Sequence, residues 1–419
     1  VGIGGEDMST INYKEWKIVN DFEEFCRFVE TEKPVLSQKK GVFGKKDAFN
    51  LNSRMHFKRE VEAPNYQQEQ YFCIDLLFSL AVEGQLFRKV KDEKGKLRLL
   101  STARLDSFME LNDYEQYVFL LETYWCYYDF ENKFSSVIWG ADLVPLCNLF
   151  RIFEYSGAGK RIVKNEEFIE RAIGNFYSFD FSVILQLSFF ALCSYELNDA
   201  MRNPYDDKLK AIVPTPLGIT ISRLFLQEGL KYRDKKILPP AYRTLDAKNK
   251  KSGKRRGLHK VLAGAFPEGA VKKTVDINIL QKQKGIYYFK VSLTKTLWRI
   301  IKLAYSHTLE DLHLAIQFAF AFDNDHLYAF YLEGEKRGRR MGHGIYCREA
   351  GAEGFKAEKT LIGECGFYPG QTMTYLFDFG DMWKFDVTLL NIDQQGALPL
   401  KPEIVEEKGE PPEQYPDWY

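Results

Sequence analysis

The sequence predicts an α+β protein: a mainly helical N-terminal region with winged-helix character, then a C-terminal domain of a strand hairpin, one helix and further antiparallel strands. Three observations carry that expectation. Apolar residues recur at helical spacing to about residue 228, the apolar period switches to two from residue 286, and a basic, proline-containing stretch separates the two regimes. At 419 residues the chain is too long for one comfortable core, so two or three domains are expected. The expected division is 1–230 helical, read as one or two winged-helix-like units, 231–275 a basic linker, and 276–419 the C-terminal domain.

The helical elements come first. "DFEEFCRFVETE" (21–32) sets Phe22, Phe25 and Phe28 or Val29 on one stripe. "YFCIDLLFSLAVEGQL" (71–86) does the same with Phe72, Leu76, Leu77 and Leu80, and Gly84 marks a stop. "LFRKVKDEKGKLRLLS" (86–101) then reads as two short strands about an Asp-Glu-Lys-Gly turn, with a further helix from Thr102. Helix, basic hairpin, helix is the outline of a winged-helix unit, in which a recognition helix enters the major groove and the wing touches phosphate. Arg88, Lys89, Lys96 and Arg98 are the candidate wing contacts. The plainer alternative is a solvated hairpin on a protein-interaction module. "LKAIVPTPLGITISRLFLQEGL" (209–230) offers the close of a second such unit, its helix carrying Ile219, Ile221, Leu224 and Phe225.

Zero net charge excludes a generally basic nucleic-acid binder, so any such role is local. The local candidate is 231–260, where twelve Lys and Arg face only Asp234 and Asp246. Lys250, Lys251, Lys254, Arg255 and Arg256 are its densest group, suited to DNA, RNA or an acidic protein partner. A solvated tether is the equal alternative. Seven scattered cysteines without a Cys-x-x-Cys pair suggest reduced, buried thiols. No signal peptide is expected, with Met8 the expected natural start, and "FSVILQLSFFALC" (181–193) falls short of the roughly 20 residues of a membrane span. The expectation is a cytoplasmic protein with no membrane partner.

From residue 286 the strands begin. "IYYFKVSL" alternates Tyr287, Phe289, Val291 and Leu293, and "LWRIIKLAYS" follows as a second strand. Thr308 and Asp311 stand in capping-box spacing before a helix that turns Leu309, Leu312, Ile316 and Ala319 inward. "HLYAFYLEG" returns as a strand. In "MTYLFDFGDMWKFDVTLLNI" Met373, Tyr375, Phe377 and Phe379 alternate, a Gly380-Asp381 type II′ turn is expected, and Trp383, Phe385, Val387 and Leu389 continue.

Three ordered segments, "VSL...LWRIIKLAYSHTLEDLHLAIQFAFAFDNDHLYAF", "YLFDFGDMW" and "EPPEQYPDWY", resemble the plasmid pRiA4b ORF-3-like family over about 276–419. The resemblance implies this fold and a plasmid or mobile-element context, without an established activity. The family pattern places a second His two residues after the first, and another two residues after the motif tryptophan. By position this chain keeps His326 and has Tyr328 and Phe385 in the other two places.

Asp323, Asp325, His326, Asp378, Asp381 and Trp383 form the candidate polar cluster. One His among carboxylates is short of a zinc site, suits Mg²⁺ or Mn²⁺ better, and most simply clasps a loop. No catalytic residue, metal ligand or cofactor is assigned. "SGAGK" (156–160) lacks the Ser or Thr of a phosphate loop, and the arginines of 337–347 read as a solvated loop. The leading expectation is therefore a non-enzymatic binding or adaptor protein. A metal-dependent hydrolase or nuclease and a protein-interaction scaffold are the alternatives.

Overall fold

The computed structural model describes residues 16–38, 40–92, 94–128, 130, 144–163, 181–197, 209–232, 257–275, 284–332, 344–351 and 355–415. The chain divides into two compact units. One comprises Val1–Phe87, Leu105–Ile237 and Arg256–Val275; the other comprises Arg88–Arg104, Leu238–Arg255 and Asp276–Tyr419.

The first unit is helical. Its helix α1 (Lys17–Glu32) buries Phe22, Phe25 and Phe28 along the expected stripe. After α2 (Lys45–Asn52), α3 (Phe72–Glu83) buries Leu76, Leu77 and Leu80. Gly84 follows α3, where a side chain would meet the Leu80 carbonyl at 2.8 Å, and the chain leaves the helix at left-handed Gln85, with Leu86 N donating to the Ala81 carbonyl at 3.0 Å. The hairpin β1 (Phe87–Lys91) and β2 (Leu97–Ser101) follows, then α4 (Ala103–Met109). Ring packing such as Phe22 on Phe108 at 5.2 Å ties these helices into an aromatic core.

Helix α5 (Asp113–Tyr127) opens on an Asn112/Glu115 capping box and runs through the centre of the unit. Then come α6 (Val144–Ser156), β3 (Ile162–Val163), α7 (Phe181–Phe189), β4 (Cys193–Leu197), β5 (Leu209–Pro214) and α8 (Pro216–Gln227). The three strands make an antiparallel sheet of order β3-β5-β4. Thr215 caps α8 by accepting from Gly218 N at 2.9 Å, and Pro216 fills the first helical position, where its missing N–H costs nothing.

Residues 257–275, the far end of the stretch read as a linker, are packed into this helical unit. Helix α9 (Leu258–Leu262) buries Leu258 and Leu262. Phe266 packs against Trp16 and Tyr117 at 6.0 and 5.8 Å, and the Glu115 carboxylate accepts from Lys272 N and Lys273 N. Apolar Leu258, Leu262 and Phe266 outweigh the charge that marked the stretch as a tether.

The second unit is built on an eight-stranded sheet of order β10-β9-β8-β11-β12-β6-β7-β13. Its strands are β6 (Ile286–Ser292), β7 (Trp298–Ala304), β8 (Tyr328–Tyr331), β9 (Ile345–Tyr346), β10 (Phe355–Lys356), β11 (Thr372–Phe377), β12 (Trp383–Asp393) and β13 (Glu403–Lys408). Every pairing is antiparallel except β10 with β9. Helix α10 (Leu309–Phe320) carries the expected Thr308/Asp311 capping box and sets Leu309, Leu312 and Ile316 against Tyr287, Phe289, Tyr375 and Phe385 of the sheet.

The type II′ turn at Gly380-Asp381 is corrected. Strand β11 ends at Phe377, paired with Trp383, so the loop is residues 378–382. Its left-handed positions are Asp378 and Met382, not Gly380. The Asp378 carboxylate accepts from Gly380 N at 2.8 Å and Asp381 N at 3.3 Å, so a side chain closes the turn in place of a glycine. Phe379 therefore leaves the buried alternation and stands 38% exposed.

The basic hairpin also belongs to this second unit from Arg88 onward. Arg88 donates to the Gly366 carbonyl at 2.9 Å and lies over the Tyr368 ring at 5.0 Å. Tyr368 donates to the Lys89 carbonyl at 2.7 Å. Gly370, at φ 86°, lies so close to the Lys91 carbonyl that a Cβ would come within 2.5 Å of it. All seven cysteines are buried, and among the described residues no helix is long and apolar enough to cross a membrane.

Candidate functional site

Three chain segments meet beside the ends of β8 and β11. The loop after α10 supplies Asp323, Asp325 and His326; the 378–382 loop supplies Asp378; the segment after β13 supplies Gln414 and Tyr415. Asp378 N donates to the Leu327 carbonyl at 3.0 Å, which fixes the first two loops together. His326 Nε2 then lies 3.5 Å from Asp378 Oδ2 and 3.8 Å from Asp325 Oδ2.

The third segment closes the arrangement. Gln414 Oε1 accepts from Asp323 N, and Gln414 Nε2 donates to Asp325 Oδ1 at 3.2 Å. Tyr415 OH donates to Asp325 Oδ1 at 2.9 Å, and its ring stands edge-on to His326 at 5.9 Å. Burial and then the hydrogen bond to Asp325 push the Tyr415 hydroxyl up to about 12, so it stays a donor at neutral pH.

The sequence-predicted cluster thus comes together in part. Asp325, His326 and Asp378 converge. Asp323 joins through its backbone, and Asp381 gives the turn its backbone N–H while the residue remains exposed. Trp383 packs edge-on against Phe322 at 4.9 Å, with its indole N–H buried and without an acceptor among the described residues. Among the described residues, no group of three or more His, Cys, Asp and Glu side chains is placed to hold a metal ion. The arrangement can orient an imidazole between carboxylates and bind donors.

A second histidine escaped the sequence reading. His313 is 1% exposed on the inner face of α10. Gln317 donates to Tyr375 OH at 2.8 Å, so that hydroxyl directs its proton to His313 Nδ1 at 2.7 Å. His313 Nε2 then carries the ring hydrogen and donates to Asn324 Oδ1 at 2.8 Å. Tyr328 stacks on the imidazole at 3.6 Å and 9°. Burial pushes His313 down to about 4, which keeps it neutral at pH 7. The available signal was its position: residues 309, 312, 313 and 316 share one helical face, so this His had to sit in the core. The place of the family's second His holds Tyr328, the lid on His313. Phe385, in the third place, packs on Phe320 at 4.9 Å.

The candidate nucleic-acid contacts are placed unequally. Arg88 is engaged by Gly366 and Tyr368, and Arg98 pairs with Asp92 at 2.9 Å. Lys89 is half-buried, while Lys96 is exposed near the hairpin tip. Lys250, Lys251, Lys254, Arg255 and Arg256 lie outside the described residues, as do the arginines of 337–340.

Comparison with known proteins locates the domain. A solved structure of a protein of unknown function from Methanosarcina mazei Go1 is 24% identical, covering 30% of this chain and 71% of its own, with a TM-score of 0.26. No curated protein matches the chain. The family model described as plasmid pRiA4b ORF-3-like protein matches residues 285–416, which contain β6 to β13 and all three segments of the polar clasp. The C-terminal part of this chain, residues 285–416, is similar to the plasmid pRiA4b ORF-3-like family.

Proposed function

We propose that the protein is a non-enzymatic, plasmid-associated binding protein that holds nucleic acid through the basic segment 233–256. One observation supports this most: both flanks of that segment are held on one turn of α5. Trp125 donates to the Gly229 carbonyl at 2.8 Å on the incoming side, and Glu122 accepts from His259 N at 3.2 Å on the outgoing side. Ten Lys and Arg against two Asp lie in the sequence between these two anchored flanks. The α7–β4–β5–α8 order, with its three-stranded sheet, supports winged-helix character in the helical unit. A metal-dependent hydrolase has weaker support, because Asp325 and Asp378 are committed to Gln414, Tyr415 and the turn amides.

Fluorescence anisotropy with labelled single- and double-stranded DNA and RNA across a salt series tests the reading. Binding is expected to weaken steeply with salt. Neutralising Lys250, Lys251, Lys254, Arg255 and Arg256 together is expected to flatten the log–log salt slope on duplex DNA by about 4. Binding that survives this neutralisation unchanged, or none at low salt, sinks the proposal.

A further inference from the structure

The segments of the polar clasp carry exposed apolar side chains. Leu327, Phe379, Met382 and Tyr415 are each 37–41% exposed, and each belongs to a segment of the clasp. Leu327 precedes β8, Phe379 and Met382 flank the turn that Asp378 closes, and Tyr415 is tied to Asp325. Backbone bonds hold this display in place: Asp378 N to the Leu327 carbonyl, and Met382 N to the Asp378 carbonyl at 2.7 Å. An apolar surface on rigid turns needs no ordering before a partner docks.

The charge on these segments has one sign. The three described segments 321–332, 378–383 and 410–415 contain Asp323, Asp325, Asp378, Asp381, Glu410 and Glu413, with no Lys or Arg. His326 is their sole basic group. Such a rim repels polyanions and attracts cations, and apolar side chains inside it favour a ligand that is itself part apolar. A second copy presenting the same face would set carboxylates against carboxylates, an unfavourable pairing across a two-fold axis.

We propose that this face of the C-terminal domain is a protein-docking surface for a partner segment in which Lys or Arg alternate with apolar or aromatic residues. Apolar partner side chains pack on Phe379, Met382 and Tyr415, while the cationic ones meet the exposed Asp381. The assignment is independent of nucleic-acid binding by the other unit.

The test uses the full chain and a fluorescein-labelled dodecapeptide of alternating Lys and Phe with serine spacers, with its Glu-for-Lys counterpart as control. Saturable binding of the Lys peptide alone is expected. It should weaken by about tenfold in Phe379→Ser/Met382→Asn, where Asn tolerates the left-handed backbone at 382, and by about threefold in Asp381→Asn. Circular dichroism melts and DNA anisotropy of the same variants should stay at wild-type values. Absent binding, equal binding of the Glu peptide, or affinity unmoved by these variants overturns the proposal. So does light scattering that shows a dimer dissociated by Phe379→Ser/Met382→Asn, since the face would then serve a second copy.

Discussion

Replacing Arg299 with methionine is expected to cost the β-rich unit about 3–5 kcal/mol. Arg299 is 3% exposed, yet no carboxylate is responsible for most of its holding power. Its guanidinium donates to the carbonyls of Ala319 at 2.9 Å, Trp298 at 3.0 Å, Lys408 at 2.9 Å and Gly409 at 3.0 Å. One side chain thus joins the C-terminal end of α10 to the end of β13. Methionine matches the stem but leaves buried carbonyls without donors. Arg299→Lys should recover less than half of the loss, because an ammonium lacks the planar fork that reaches several acceptors. Glu407→Gln should be near neutral, since that carboxylate is 70% exposed and 3.7 Å away. Hydrogen exchange of the β7 and β13 amides would rank the three variants. A Glu407 effect equal to that of Arg299 would show that the ion pair, not the carbonyl clamp, is what matters.

The second large effect is on pH. Burial holds His313 near 4, against an ordinary value of 6.5. Between these values the unfolded chain binds a proton that the folded chain refuses, so stability rises with pH there. His313 should therefore contribute about 3 kcal/mol of extra stability at pH 7 relative to pH 4, lost as pH falls from 6.5 and level below 4. Urea unfolding across pH, compared with His313→Gln, isolates the group from surrounding carboxylates. An identical acid slope in the variant would remove His313 as its source.

What was legible in the sequence was what repeats locally. The Thr308/Asp311 box, the inward alternation of β6 and the stop at Gly84 all follow from neighbours a few residues apart. Asp325, His326 and Asp378 were legible as candidates from their motifs, whereas Gln414 and Tyr415, some 90 residues from Asp325 in sequence, were not. What the sequence hid depends on distant partners. Nothing near Arg299 marks Lys408 or Gly409 as its acceptors, and nothing in "FRKVK" marks Gly366 as the acceptor for Arg88. The turn at 378–382 was misread for the opposite reason: a local rule about glycine was overridden by a carboxylate one residue after the strand.

The bond from Arg88 to Gly366 spans 278 residues. During synthesis at roughly 5–20 residues per second, the hairpin leaves the ribosome roughly 15–55 s before its acceptor exists. Throughout that interval a nascent β-ribbon waits with an unclaimed arginine, and only the finished chain can complete the β-rich unit. Vectorial folding of the two units one after the other is thus barred for this segment. A fragment started at residue 276, the natural-looking boundary, would lack a piece of its own domain.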